Sequence, residues 1–122
     1  MRLRLLFACK HKDLIAKKFQ NADLRWNGDL WERSAIILES VFIGLGTYQP
    51  GWRWSKDIGA KSGRSSEAHI GYIISGKMAV RSASGEEVVV GPGEAFEAQS
   101  DHDAWVIGNE PCVSLDFGPH IK

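Results

Sequence analysis

Apolar positions along this chain fall in short runs cut by glycine and proline, and they keep no helical period. The rhythm is clearest in the second half. Residues 68–75, rich in Ile and Tyr, stop at Ser75-Gly76, and residues 77–82 stop at Ala83-Ser84-Gly85, a loop of hairpin length and composition. Residues 87–90 end at Gly91-Pro92-Gly93, and residues 95–98 open the next run. Residues 104–107 and 112–117 add two more across the turn Gly108-Asn109-Glu110-Pro111. Each run reads as a strand.

Upstream, residues 31–39 and 41–48 are apolar, β-branched runs that read as a strand pair. Gly44 and Gly46 predict a bulge or a barrel corner in the second. After Pro50-Gly51, the alternation Trp52-Arg53-Trp54 sets both indoles on one face and Arg53 on the other. Residues 55–66 (SKDIGAKSGRSS) are small and polar and read as a long loop, of a length at which loops are often functional. Residues 21–29 are loop-like, with a turn signal at Asn27-Gly28.

For residues 11–19 two readings stand: about two turns of helix with Leu14, Ile15 and Phe19 on one side, or an irregular entry into a strand over residues 15–19. The apolar run from Leu5 to Cys9 is shorter than the roughly 7–15 residues of a signal-peptide core, and Lys10, His11 and Lys12 close it. Residues 1–10 therefore read as mature sequence, a strand or an ordered extension. No stretch approaches the roughly 20 apolar residues of a membrane span.

Many short strands with Gly/Pro turns indicate an all-β sandwich or barrel. The expected organisation is an N-terminal extension over residues 1–30 and one barrel domain over residues 31–122, since 122 residues suffice for a single hydrophobic core. Fifteen acidic and fifteen basic residues balance, which leaves no electrostatic pull toward nucleic acid or an anionic membrane. Two cysteines, Cys9 and Cys112, are too few for a disulfide framework and fit a reducing cytosol, so a cytoplasmic location is expected. Cys112 falls in a strand and reads as a small hydrophobe.

The stretch GYIISGKMAV…GEEVVVGPGEAF, with PGWRWS before it and HDAWVIGNEP after it, resembles the cupins, and among them a bacterial subgroup of small single-domain members. Gly76 matches the closing glycine of that family's first motif. Gly93 matches the opening glycine of the second, inside Pro92-Gly93-Glu94. The resemblance spans residues 49–117 and implies a cupin-type jelly-roll barrel (double-stranded β-helix). In metal-binding cupins the first motif supplies two His and a Glu and the second a His, donors that suit Zn, Ni, Fe or Mn.

Carried over position by position, the motif's Glu falls on His69. Its two His positions fall on Gly63 and Ser65, or on Ser62 and Arg64 with the longer spacing, and the second motif's His falls on Ala104. Strand parity puts Glu67 on the face of His69, and His102, two residues before Ala104, on that residue's face. Gln99 replaces the motif's proline. The implied site is Glu67, His69, Gln99 and His102, which either hold one divalent ion weakly or line a pocket without metal.

Trp54, Tyr72, Phe96 and Trp105, with Trp52, either pack the core or line a pocket for a small organic ligand. Lys56 and Arg64 read as solvated loop charges or as partners for a ligand carboxylate, and His11 and His120 as surface residues. Ser65 and Ser66 precede His69 but lack an acid partner and a nucleophile elbow. The expected function is small-molecule binding or sensing, and the alternative is a metal-dependent oxygenase or isomerase using His69 and His102. A homodimer is expected, because residues 31–39 and 41–48 are more apolar than one sheet face requires and an open jelly roll leaves edges that need cover.

Overall fold

The computed structural model describes residues 13–119, so the readings for residues 1–10, His11 and His120 lie outside the described residues. Among the described residues the strands are β1 (Leu24–Gly28), β2 (Trp31–Ile37), β3 (Val41–Tyr48), β4 (His69–Ser75), β5 (Lys77–Arg81), β6 (Glu87–Val90), β7 (Ala95–Ala98), β8 (Asp103–Ile107) and β9 (Cys112–Pro119). Six form one sheet in the order β1-β2-β3-β9-β4-β7, and three form a second in the order β6-β5-β8. Every named pairing is antiparallel. This is the all-β architecture that the Gly/Pro punctuation implies, arranged as the jelly roll that the cupin resemblance implies.

Alternation along each strand decides what lies between the sheets. On β4, Ile73 is fully buried, and on β9 so is Cys112. They meet Met78 and Val80 of β5 and Ala104 and Val106 of β8, which come from the smaller sheet. Burial pushes the Cys112 thiol up to about 11, so it stays protonated and packs as a hydrophobe. No helix among the described residues is long and apolar enough to cross a membrane.

Four local readings are corrected. The N-terminal part of the large sheet starts earlier than expected: residues 24–28 are a strand, paired with β2 from Leu24↔Ala35 to Gly28↔Trp31. Leu24 and Trp26 alternate with Arg25 and Asn27, and that short alternation is a strand signal the loop reading passed over. Residues 13–18 carry neither helix nor strand and lead into a 3₁₀ turn at Phe19–Asn21.

Residues 55–62 are helical instead of a loop, with a π-type turn at Ser55–Gly59 running into one α turn at Ala60–Ser62. The cause is distant in sequence. Asp103 of β8 accepts the Ser55 N–H at 2.9 Å, the Ser55 hydroxyl at 2.9 Å and Arg53 Nε at 2.8 Å. Asp57 accepts the Arg53 N–H at 2.8 Å, and Ile58 packs against the core.

Finally, Gly44 and Gly46 mark no bulge, because β3 pairs in unbroken register with β2 and β9. They make room. A Cβ on Gly44 would meet the Asp116 and Arg33 side chains, and one on Gly46 would meet the Tyr48 ring. The register shift lies between Ile73 and Ser75, where β4 pairs with β9.

Candidate functional site

A cavity of about 830 Å³ opens on the inner face of the large sheet. Its lining includes His69, His102, Trp54 and Phe96 together with Arg33, Asp116, Trp26 and Phe42. His69 opens β4, and its inward parity is shared by Gly71 and Ile73. A Cβ on Gly71 would meet the Phe96 ring, so the glycine lets that ring lie flat across the strand beside His69. His102 precedes β8 and is buried. The His69 and His102 rings lie 5.0 Å apart between centroids, and Phe96 meets His69 edge-on at 5.7 Å.

Hydrogen bonds fix which nitrogen of each imidazole is free. His102 Nδ1 lies 2.8 Å from the Gln99 carbonyl oxygen, which only accepts, so Nδ1 carries the proton. Ser66 Oγ sits 3.3 Å from the same nitrogen and donates its own proton to the His102 carbonyl at 2.6 Å. His69 Nδ1 faces the Glu67 carbonyl at 3.3 Å. In each ring the hydrogen bond holds the proton on Nδ1 and leaves Nε2 to face the cavity as the acceptor nitrogen of the neutral tautomer. Burial holds His102 below its ordinary value, with the Gln99 carbonyl opposing that shift and His69 reinforcing it.

A pH dependence of stability follows. The unfolded chain binds the His102 proton near the ordinary value of 6.5, while the folded chain resists it. Below that pH the unfolded state carries more bound protons, so stability falls as pH drops through 6.5 toward the folded-state value. Above it both states are neutral and nothing changes. Melting temperatures from neutral pH to about pH 5 should show this decline, and His102→Gln should flatten it. Equal slopes in the two proteins would refute the assignment.

In the same cavity, Arg33 pairs with Asp116, the β9 neighbour of Gly71, through Nη2–Oδ2 at 2.6 Å and Nε–Oδ1 at 3.3 Å. The guanidinium lies over Trp26 at 5.0 Å and Phe42 at 5.7 Å from the ring centroids. Both residues were missed by sequence reasoning. The available signal was a charge at the inward parity of an apolar strand, since Arg33 shares the face of Trp31, Ala35 and Ile37. Trp52 is buried in the cavity lining, and among the described residues its Nε1 finds no hydrogen-bond partner.

Other expected site residues fall elsewhere. Tyr72 is outside the cavity, because it lies three positions from His69 and strand alternation turns it to the outer face. Trp105 is outside for the same reason: Ala104 and Val106 point inward, and Trp105 lies beneath the Arg53 guanidinium at 4.3 Å. Glu67 stands at the cavity mouth with its carboxylate 3.5 Å from Arg64 Nη2, not beside the imidazoles. Gln99 is exposed and contributes its main-chain carbonyl to His102. Lys56 pairs with Asp57 at 3.4 Å.

The donor set can be tested against a divalent ion. Two imidazoles with anchored Nδ1 and free Nε2 have the orientation of metal ligands. Among the described residues, however, no group of three or more His, Cys, Asp or Glu is arranged to hold an ion. The nearby carboxylates of Glu67 and Asp116 face Arg64 and Arg33. Two ligands fall short of the three or four that a resident transition metal takes from protein. The set does not fit, and no chemical step is derived through a metal.

No family model matches the sequence, and no curated protein matches it. Solved structures do match the fold. An ectoine synthase from P. lautus is 14% identical, with 89% of this chain and 80% of that one covered at a TM-score of 0.63. KdgF from Halomonas sp. is 19% identical, with 75% and 82% covered at 0.57. A sugar phosphate isomerase of the cupin superfamily from Silicibacter pomeroyi is 18% identical, with 73% and 60% covered at 0.54. The chain has the cupin fold. At these identities the likeness establishes the cupin architecture, while the chemistry has to be argued from the residues of this cavity.

Proposed function

We propose that this cupin-fold chain binds a small organic molecule in the cavity between its sheets, as a binding or sensory module. The observation that carries this reading is the cavity's pair of imidazoles. Trp54 and Phe96 offer apolar walls, and the free Nε2 atoms of His69 and His102 offer two hydrogen-bond acceptors. A fitting ligand has a flat or apolar body and a hydroxyl, or another donor, aimed at the imidazoles.

A screen of small aromatic and hydroxylated compounds by protein-observed NMR tests this. Loss of one such hydrogen bond in His69→Ala is expected to weaken the best binder about tenfold, close to 1.4 kcal/mol. The melting temperature should hardly move, because His69 is only half-buried. Unchanged affinity in that variant would refute the role given to His69.

The second reading is a metal-dependent oxygenase or isomerase using the same two histidines, and the anchored imidazoles are what favours it. It requires at least one further ligand that the described residues do not place beside them. Elemental analysis of protein purified without chelator or nickel resin separates the two. Stoichiometric metal that is lost in His69→Ala would favour the enzyme.

A further inference from the structure

A second set of polar side chains lies over two glycines in the floor of the cavity. On the inner face of the large sheet, Gly71 pairs with Asp116, and Asp116 pairs with Gly44. One row further along, Gly46 pairs with Arg33 on one side and Ser114 on the other. A Cβ on Gly44 would meet the Arg33 and Asp116 side chains, and one on Gly46 would meet the Tyr48 hydroxyl. Guanidinium, carboxylate and phenol therefore sit side by side.

This cluster has donors to spare. Arg33 commits Nε and Nη2 to Asp116, and Nη1 takes no part in that pair. Tyr48 is 9% exposed and lines the cavity, yet no hydrogen bond among the described residues reaches its hydroxyl. Burial, reinforced by Asp116 and opposed by Arg33, raises the phenol above its ordinary value, so it keeps its proton to donate. The Trp52 ring lies 4.4 Å from that of Tyr48, and its Nε1 is likewise without a partner among the described residues. Buried donors left unmatched are unfavourable, and an acceptor on a ligand removes that penalty.

Charge decides what kind of acceptor fits. Arg33 is matched by Asp116, and Arg64 at the mouth by Glu67. A ligand carboxylate on Arg33 would stand as a second anion beside Asp116, whereas a carbonyl oxygen accepts the same hydrogen bonds without repulsion.

We propose, resting on the small-molecule reading above, that the Tyr48 hydroxyl and Arg33 Nη1 hold an uncharged carbonyl oxygen, so that the ligand is a neutral hydroxy-carbonyl compound with its hydroxyl at His69 and His102. One row and two strand spacings separate His69 from Gly44, roughly 12 Å between Cα positions. Two fused rings with a hydrogen bond at each end cover that span.

7-Hydroxycoumarin has this pattern, and its fluorescence allows titration of the full chain at neutral pH. The wild type is expected to bind it. Tyr48→Phe should weaken that binding about tenfold while the melting temperature holds or rises, because the lost hydroxyl has no partner among the described residues. A purely structural Tyr48 would instead show a lower melting temperature with unchanged affinity, which would overturn the carbonyl subsite. Coumarin, which lacks the hydroxyl, and 7-hydroxycoumarin-3-carboxylate, which adds an anion, should both bind more weakly than the parent. Tighter binding of the carboxylate would overturn the uncharged class, and so would a wild type that takes up none of the three. If Tyr48→Phe has no effect but His69→Ala still weakens binding, the carbonyl subsite fails and the role of the imidazoles stands.

Discussion

Replacing Gly76 by alanine should remove about 4 kcal/mol of folding free energy, a large share of what a domain of this size has to lose. Two independent costs add. Gly76 sits in the β4–β5 turn at φ 76, where an L-residue carries about 1–2 kcal/mol of strain. A Cβ there would also meet the Pro111 carbonyl oxygen, with the Cys112 Cα only 2.7 Å away. Those are backbone atoms at the start of β9, which pairs with both β3 and β4, so they cannot step aside without disturbing the centre of the sheet. Gly93 is the control. Its φ is 86, but nothing lies within 4 Å of the Cβ position, so Gly93→Ala should cost only the strain. Urea unfolding of both variants checks this. Equal losses would show that the turn tolerates the added methyl.

The second large effect belongs to Arg33. Changing it to methionine leaves the Asp116 carboxylate partly buried against the sheet without its cation. Removing one partner of a buried ion pair costs about 3–5 kcal/mol. The Arg33 and Asp116 side chains are 23% and 16% exposed, which places the expected loss at the lower end. The guanidinium's contacts with Trp26 and Phe42 go with it. The double variant Arg33→Met/Asp116→Asn should recover most of the loss, because it removes both charges together. Thermal melts across the four proteins of this double-mutant cycle would give the coupling directly. Strict additivity would mean that the pair contributes nothing as a pair.

The sequence made the barrel legible because the strands end where backbone conformation demands glycine. Gly76, Gly85 and Gly93 all adopt positive φ at predicted turns. It also brought His69 and His102 together, since parity from the two motif glycines puts both on inward faces. Tyr72 shows the limit of reasoning by residue type. An aromatic residue in the right strand reads as core or as a wall of the pocket, although an odd separation from His69 places it on the opposite face.

The helical turns at residues 55–62 were hidden for another reason. The segment has no helical period, and what fastens its start is Asp103, 48 residues away along the chain. Arg33 and Asp116 are likewise 83 residues apart, and each alone looks like an ordinary strand charge. Their pairing becomes visible only once β2, β3 and β9 lie side by side.

The most direct test of the binding account is the side-chain ¹⁵N spectrum of His69 and His102, recorded with and without the tightest small aromatic compound from the screen. In the free protein both rings should show a protonated Nδ1 and a bare Nε2. Saturation should move the two Nε2 resonances and the Trp54 indole, and leave Tyr72 and Trp105 on the outer surface unshifted. Shifts confined to Tyr72, Trp105 and their neighbours, with both Nε2 resonances unmoved, would contradict it.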